Sequence, residues 1–283
     1  MGLENKNNVC RQTERMHIKY AIREKDLDNA QQLIHTGIET LDELIGGFYP
    51  GELITFCGDA NSNREKILLA IFKHICIDEK IASAYFSNHQ RSNNDIRLLI
   101  DSISESLHGQ SGITYKSIPT LYESPAYYDN TPRKTLSSLC NDIRELVKEQ
   151  NVKIVFIDIF QGIINDLSSN FGYSHDCTAS YLKSLAIELG ITIIVTSMPN
   201  YQFYNREGID DMKPQLRDLS ENGDLNSYSD IVIGLCRPES YGVYLDMNGN
   251  CMKNVIEVDV LLNCRGKQKS GRMININPKT LKY

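Results

Sequence analysis

Leu53-Ile54-Thr55-Phe56-Cys57-Gly58-Asp59-Ala60-Asn61-Ser62-Asn63-Arg64-Glu65 is the stretch on which the reading of this chain turns. Its first five residues form a short apolar, β-branched run of the kind buried on both faces of a sheet. Gly58 ends the run, a polar loop follows, and from Glu65 to Ile77 the pattern is helical. A strand, a tight loop and a helix in this order open a βαβ unit, and in such sheets ligands bind at the carboxyl ends of the strands. The loop has the length of GxxxxGK[ST], whose backbone N–H groups cradle phosphate. Gly58 holds the first glycine position; Asn63 stands at the second, Arg64 at the lysine and Glu65 at the hydroxyl residue.

Each exchange has a chemical meaning. The second glycine lets backbone wrap close to phosphate, whereas asparagine tolerates left-handed geometry but brings a side chain. Lysine presents a compact charge to the β- and γ-phosphates; arginine keeps the charge in a bulkier, planar group. A Ser or Thr hydroxyl binds magnesium in this motif, while Glu65 sets a carboxylate beside a triphosphate, a group able to hold a metal but one that repels the nucleotide. By itself the loop is weak evidence, because a strand, turn and helix with one glycine are common.

Working outward, β-rich runs stand at Leu53–Cys57, Ala82–Phe86, Ala126–Tyr128, Lys153–Ile157, Thr192–Thr196, Asp230–Leu235 and Ile256–Leu262. Helical stretches lie between the early ones, at Glu65–Ile77, Asp95–Leu107, Lys134–Gln150 and Ala179–Leu189. Leu136, Leu139, Ile143, Leu146 and Val147 make an apolar stripe of helical period. The alternation predicts a parallel sheet with helices on both faces, and the strands-only segment after Asp230 predicts a hairpin extension. Upstream, Thr36 to Leu44 reads as a helical turn with Thr36 and Glu39 as a capping box. Gly46-Gly47 and Pro50-Gly51 break the chain around Phe48 and Tyr49. Residues 1–14 are polar; Met16, Ile18, Tyr20 and Ile22 alternate as in a strand while Lys25–Ile34 suits a helix, so that segment stays ambiguous. The expected organisation is an N-terminal arm over 1–35 and one domain over 36–283.

The chain has 283 residues, 41% hydrophobic and 23% charged, with a formal net charge of −6. That is enough for a full core, and it excludes a disordered chain, a collagen repeat and a disulfide-stapled scaffold. The acidic balance argues against indiscriminate nucleic-acid binding. The eight cysteines include no CxxC pair, and His175 and Cys177 have no metal-ligand company, so they read as small buried hydrophobes in a reducing cytosol. Met1 to Asn8 has no signal-like apolar core, and no stretch reaches the roughly 18 apolar residues of a membrane span. The expectation is a soluble cytoplasmic protein without membrane contact.

Thr36-Gly37-Ile38-Glu39-Thr40-Leu41-Asp42-Glu43-Leu44-Ile45-Gly46-Gly47-Phe48-Tyr49-Pro50-Gly51-Glu52-Leu53 resembles the lead-in to the ATPase domain of DnaB-type replicative helicases, which KaiC and RadA relatives share. Three later segments favour the DnaB type. The first is Tyr127-Tyr128-Asp129-Asn130-Thr131-Pro132 with Lys153-Ile154-Val155-Phe156-Ile157-Asp158, and the second Tyr181-Leu182-Lys183-Ser184-Leu185-Ala186 running to Thr196-Ser197-Met198-Pro199-Asn200. The third and most distinctive is Leu216-Arg217-Asp218-Leu219-Ser220-Glu221-Asn222-Gly223 followed by Ser229-Asp230-Ile231-Val232. The likeness runs in unbroken order over residues 33–283. It implies an α/β, RecA-like P-loop NTPase fold: a mostly parallel twisted sheet flanked by helices, with antiparallel strands at the C-terminal end. It also implies a ring, usually hexameric, that hydrolyses nucleotide between subunits and moves on single-stranded DNA.

The resemblance assigns roles one residue at a time. Gly58, Asp59, Ala60, Asn61, Ser62, Asn63, Arg64 and Glu65 fall on the nucleotide loop, and Asp158 on the carboxylate that holds the magnesium shell. His89 stands where the family has its catalytic glutamate. Met198 replaces the glutamine that senses the γ-phosphate, a bond a thioether cannot make. Asn263 replaces a trans-acting lysine, and Arg265 matches the arginine finger, within a basic stretch that includes Lys267, Lys269 and Arg272. ATP and magnesium are the cofactors the family implies. No lysine or arginine stands between Lys153 and Lys183, where the channel-facing loop belongs, while Asp158, Asp166 and Asp176 do. Phe171 and Tyr173 are left as base-stacking or anchoring residues, and no DNA-binding residue is assigned. The expected function is a non-catalytic binding or regulatory subunit linked to DNA replication or mobile-element DNA metabolism, docking on a helicase-like partner or on copies of itself. An active ATP-dependent helicase with substituted ligands and a nucleotide sensor without turnover are the alternatives.

Overall fold

The structure, a computed structural model, describes residues 33–88, 93–108, 117–166, 177–206, 208, 210–219, 224–266, 272–275 and 281. In chain order the elements are α1 (Glu39–Ile45), β1 (Leu53–Cys57), α2 (Arg64–Lys73), β2 (Ser83–Ser87), α3 (Asn93–His108), α4 (Ser117–Tyr122), β3 (Ala126–Asp129) and α5 (Leu136–Gln150). There follow β4 (Ile154–Asp158), α6 (Thr178–Leu189), β5 (Thr192–Ser197), α7 (Leu225–Tyr228), β6 (Ile231–Cys236), β7 (Val255–Asn263) and β8 (Arg272–Asn275).

All eight strands share one sheet in the order β3-β2-β4-β5-β1-β6-β7-β8. The six from β3 to β6 are mutually parallel, and β7 and β8 are added antiparallel, as the strands-only C-terminal pattern predicts. Successive residues of each central strand point to opposite faces, and both faces are covered. One apolar core joins Ile54, Phe56, Tyr85, Phe156 and Ile194 to α1, α2 and α3. The other joins Leu53, Cys57, Ala84, Val155 and Ile193 to α5 and α6. That is why these strands read as unbroken apolar runs. The α5 stripe enters the second core through Leu136, Leu139 and Ile143, with Thr135 capping the helix by accepting from Ser138 N at 3.2 Å.

The sequence reading needs several corrections. The Thr36–Glu39 capping box does not form, because the N-cap of α1 is Ile38 and has no side-chain cap. Thr36 is buried and its hydroxyl accepts from Ile38 N, while its own N–H donates to Asp42 Oδ1 at 2.8 Å, so Asp42 displaces Glu39 from the role. The helix expected to run to Ile77 is α-helical only to Lys73 and continues as a π-helical turn, His74–Asp78. Gly37, at φ +77°, lies against the ring of His74, where a β-carbon would come within 2.3 Å. Both α4 and β8 escape the sequence pattern. The described cysteines are free; Cys57, Cys76, Cys140 and Cys236 are buried as expected, but Cys251 and Cys264 are exposed. Among the described residues no helix is long and apolar enough to cross a membrane.

Phe156 is fully buried, edge-on to Phe72 at 5.6 Å and stacked with Tyr85 at 6.1 Å. Phe156→Ala should cost about 3–5 kcal/mol of stability, read as a lower midpoint in denaturant titration. Met247→Ala, on a fully exposed residue, should leave that midpoint within about 0.5 kcal/mol of the parent.

Candidate functional site

The loop between β1 and α2 keeps a tight, ordered shape. A β-carbon on Gly58 would lie 2.3 Å from Ser62 Oγ and 3.0 Å from Leu235 O, so only glycine fits. Ser62 is buried and closes the loop, its N–H and hydroxyl both donating to Asp59 O, at 3.2 and 2.8 Å. Asn63 adopts φ 60°, ψ 25°, the left-handed conformation that the second glycine of the motif makes easy, and its carbonyl starts α2 by accepting from Ile67 N. Arg64 is 3% exposed and turns back into the loop, where Nη1 donates to Gly58 O at 3.0 Å and to Asp59 O. Tyr241, in the turn after β6, hydrogen-bonds Asp59; burial first, and then the Asp59 carboxylate, holds its phenol above the ordinary value. Tyr204, after β5, is raised by burial and by the same carboxylate. Neither tyrosine stands out in the sequence.

At the ends of β4 and β5, Asp158 is 1% exposed. Its Oδ1 accepts from the Thr196 hydroxyl and its Oδ2 from Tyr85 OH at 3.4 Å. The Tyr85 phenol is held well above its ordinary value by burial, then by Asp158 and, more weakly, Asp95 and Glu65. Met198 follows β5, and Gln161 bridges to it: Nε2 donates to Ser197 Oγ at 2.8 Å and to Met198 O at 3.1 Å, and Oε1 accepts from Met198 N at 3.4 Å. Sequence reasoning misses Gln161, because a single glutamine three residues beyond a strand carries no pattern. His89 lies outside the described residues, as do Phe171, Tyr173, Asp176, Lys267 and Lys269.

The structure thus brings Gly58–Glu65, Asp158 and Met198 to one edge of the sheet and sends Arg265 to the other. Asn263 ends β7 opposite Ile231, the first residue of β6, so Arg265 lies beyond the amino ends of the parallel strands. The length of β1 separates the two edges, roughly 16 Å at about 3.3 Å per residue. Arg265 is engaged on several sides. Its Nε and Nη2 grip Glu52 Oε1 and Oε2 at 2.5 and 2.6 Å, and Nη1 and Nη2 reach Ile45 O and Gly47 O at 2.8 and 3.0 Å. Its guanidinium also sits 4.4 Å over the Tyr49 ring. The Glu52 carboxyl is raised by burial, which Arg265 only partly offsets.

The loop's donors suit a phosphate oxyanion: the first N–H groups of α2 have no intrahelical acceptor, and a buried guanidinium lies beside them. Glu65 stands where the motif has its metal-binding hydroxyl, and each Asp158 oxygen accepts one hydroxyl proton, which leaves two carboxylates as the oxygen ligands a magnesium ion would use here.

Residues 34–279 match the family model of the DnaB-like helicase C-terminal domain. The chain is similar to the replicative DNA helicase DnaB of Rickettsia typhi, 29% identical over 230 residues that make up 74% of this chain and 46% of that protein. The DnaB of Mycoplasma genitalium is 25% identical over 257 residues, 85% of this chain and 53% of that one. The chain spans about half the length of these curated relatives. In fold it is similar to a DnaB-like replicative helicase solved for its interactions with primase, at TM-score 0.73 and 18% identity, covering 95% of this chain and 67% of that one. It is equally similar, at TM-score 0.73 and 18% identity, to an ATPase domain solved by itself, over 94% of this chain and 96% of that one.

Arg265→Ala should cost about 1.5–3 kcal/mol at pH 7 by leaving a buried carboxylate without its partner. The folded-state pKa of Glu52 lies above its unfolded value, so its protonated form is the one the fold favours, and stability from that source is present at low pH and lost as pH rises through the folded pKa. The cost of Arg265→Ala should therefore shrink toward pH 4, where Glu52 is neutral. Denaturant titrations at both pH values, repeated on a Glu52→Gln background, read the difference; an equal cost at both would show that Glu52 is not the partner that matters.

Proposed function

The chain belongs to the DnaB-like helicase C-terminal domain family, and from that membership we propose that it is a binding or regulatory subunit of DNA replication or mobile-element DNA metabolism that does not turn nucleotide over. One observation carries the reading. At the edge where phosphoryl transfer takes place in this family, Asp158 is buried with both oxygens accepting hydroxyl protons, and the neighbouring strand end presents Met198, its backbone tied by the Gln161 amide. Phosphoryl transfer depends on positioned charge and a positioned water, and a thioether supplies neither. Glu65 adds a negative charge where the motif has a hydroxyl. A chain of this fold that does not turn nucleotide over acts through contacts with a helicase-like partner or with copies of itself.

A nucleotide sensor without turnover is the second reading, favoured by the loop itself, whose backbone shape and buried cation persist.

Purified protein should show no magnesium-dependent ATP hydrolysis above the background of Asp158→Ala, with or without single-stranded DNA. Turnover that DNA stimulates and Asp158→Ala abolishes would restore an active helicase and overturn this reading.

A further inference from the structure

A groove at the β3 end of the sheet takes no part in the nucleotide edge. It is a cavity of about 420 Å³ between the edge strand β3 and α5. Phe86 of β2 and Tyr127 of β3 point to the same face of the sheet and form its floor with Leu146 of α5. Asp129 closes one end, and Asp142, Glu145 and Glu149 stand along the wall, on one face of the helix. No lysine or arginine lines the cavity.

The chain itself shows at one end what such a surface holds. The Lys134 ammonium donates to both Asp129 and Asp142 and sits 5.1 Å over the Phe86 ring, its side chain only 8% exposed. Further along α5 the same elements recur: Glu145 and Glu149 supply the carboxylates, and Tyr127, its hydroxyl donating to Gln150 Oε1 at 2.7 Å, supplies the ring. Here no cation of the chain pairs with either glutamate among the described residues, and both are exposed. Four residues apart they repel each other, and they stand in the last two turns of α5, where the helix dipole disfavours negative charge. The chain alone gains nothing from this arrangement; an incoming cation relieves it.

We infer that this groove docks a lysine- or arginine-bearing segment of a partner protein. The aliphatic stem of the side chain lies on Tyr127 and Leu146, and its charged head rests between Glu145 and Glu149. Long basic side chains pack in this way, stem on apolar surface and head at the wet rim, and the tyrosine ring adds an attraction for the cation. A formal net charge of −6 makes two copies of the chain repel each other at long range, and repels nucleic acid too, so a basic protein is the occupant that the charge favours. Such docking is independent of whether the chain turns nucleotide over.

Isothermal titration of the full chain with a blocked oligolysine peptide, in low salt and in high salt, tests this. The expected result is binding in low salt that weakens as added salt screens the exposed carboxylates. Glu145→Gln combined with Glu149→Gln should weaken binding about tenfold or more. The melting temperature of that free variant should not fall, because the change removes a repulsion within α5. Glu39→Gln combined with Asp211→Asn takes the same charge from exposed positions outside the groove and should leave the affinity within about twofold of the parent. An equal loss in both variants would mean attraction to the overall charge of the chain, and it overturns the inference, as does absence of binding in low salt. Self-association of the chain that the groove variant abolishes would seat a second copy there and overturn the assignment to a partner.

Discussion

Burial of the parallel strands on both faces is the constraint from which the rest follows. A strand covered on one side by α2 and α3 and on the other by α5 and α6 has no place for a polar side chain along its length, except where another polar group meets it inside, as Thr55 meets Ser229 at 2.8 Å. Polar chemistry is driven to the strand ends. The two edges of the sheet then acquire different characters because every central strand points the same way. The carboxyl edge gathers Gly58–Glu65, Asp158, Gln161 and Met198, while the amino edge gathers Glu52, Asp230 and Arg265.

Two arginines illustrate the division. Both are held by backbone carbonyls, but Arg265 also meets a carboxylate and an aromatic face, and its four side-chain hydrogen bonds fasten the end of β7 to the segment between α1 and β1. Arg64 meets carbonyls alone. Within one chain Arg265 lies at the edge of the sheet opposite the loop and is engaged with Glu52.

The strands and long helices are legible in the sequence because burial on both faces leaves a continuous apolar run and burial on one leaves a 3.6-residue stripe. The likeness to DnaB-type helicases is legible because its segments, among them α1, β4 and the middle of α6, follow one another along the chain in fixed order. What stays hidden is set by distance in space. Glu52 and Arg265 are 213 residues apart, and nothing local marks either as the other's partner. Asp42 takes the N–H of Thr36 because the turn at Gly37 brings it there, whereas a motif rule looks only to Glu39. Tyr241 hydrogen-bonds Asp59 from the turn after β6 and Tyr204, after β5, lies near enough to feel its charge, a convergence that follows from the strand order β5-β1-β6.

The loop also separates two properties that its motif usually joins. Its shape depends on steric conditions at Gly58 and a left-handed residue at Asn63, both of which are met. Turnover depends on a different set, a hydroxyl, a sensor amide and a poised carboxylate, and Glu65 and Met198 stand where the family resemblance places the first two. Shape without those groups retains the oriented N–H donors of a helix end, which need no metal and no reaction to bind an anion. The two steric positions are met by different means: Gly58 is glycine, where a β-carbon would meet Ser62, and Asn63 takes the left-handed conformation with a side chain where the motif has glycine.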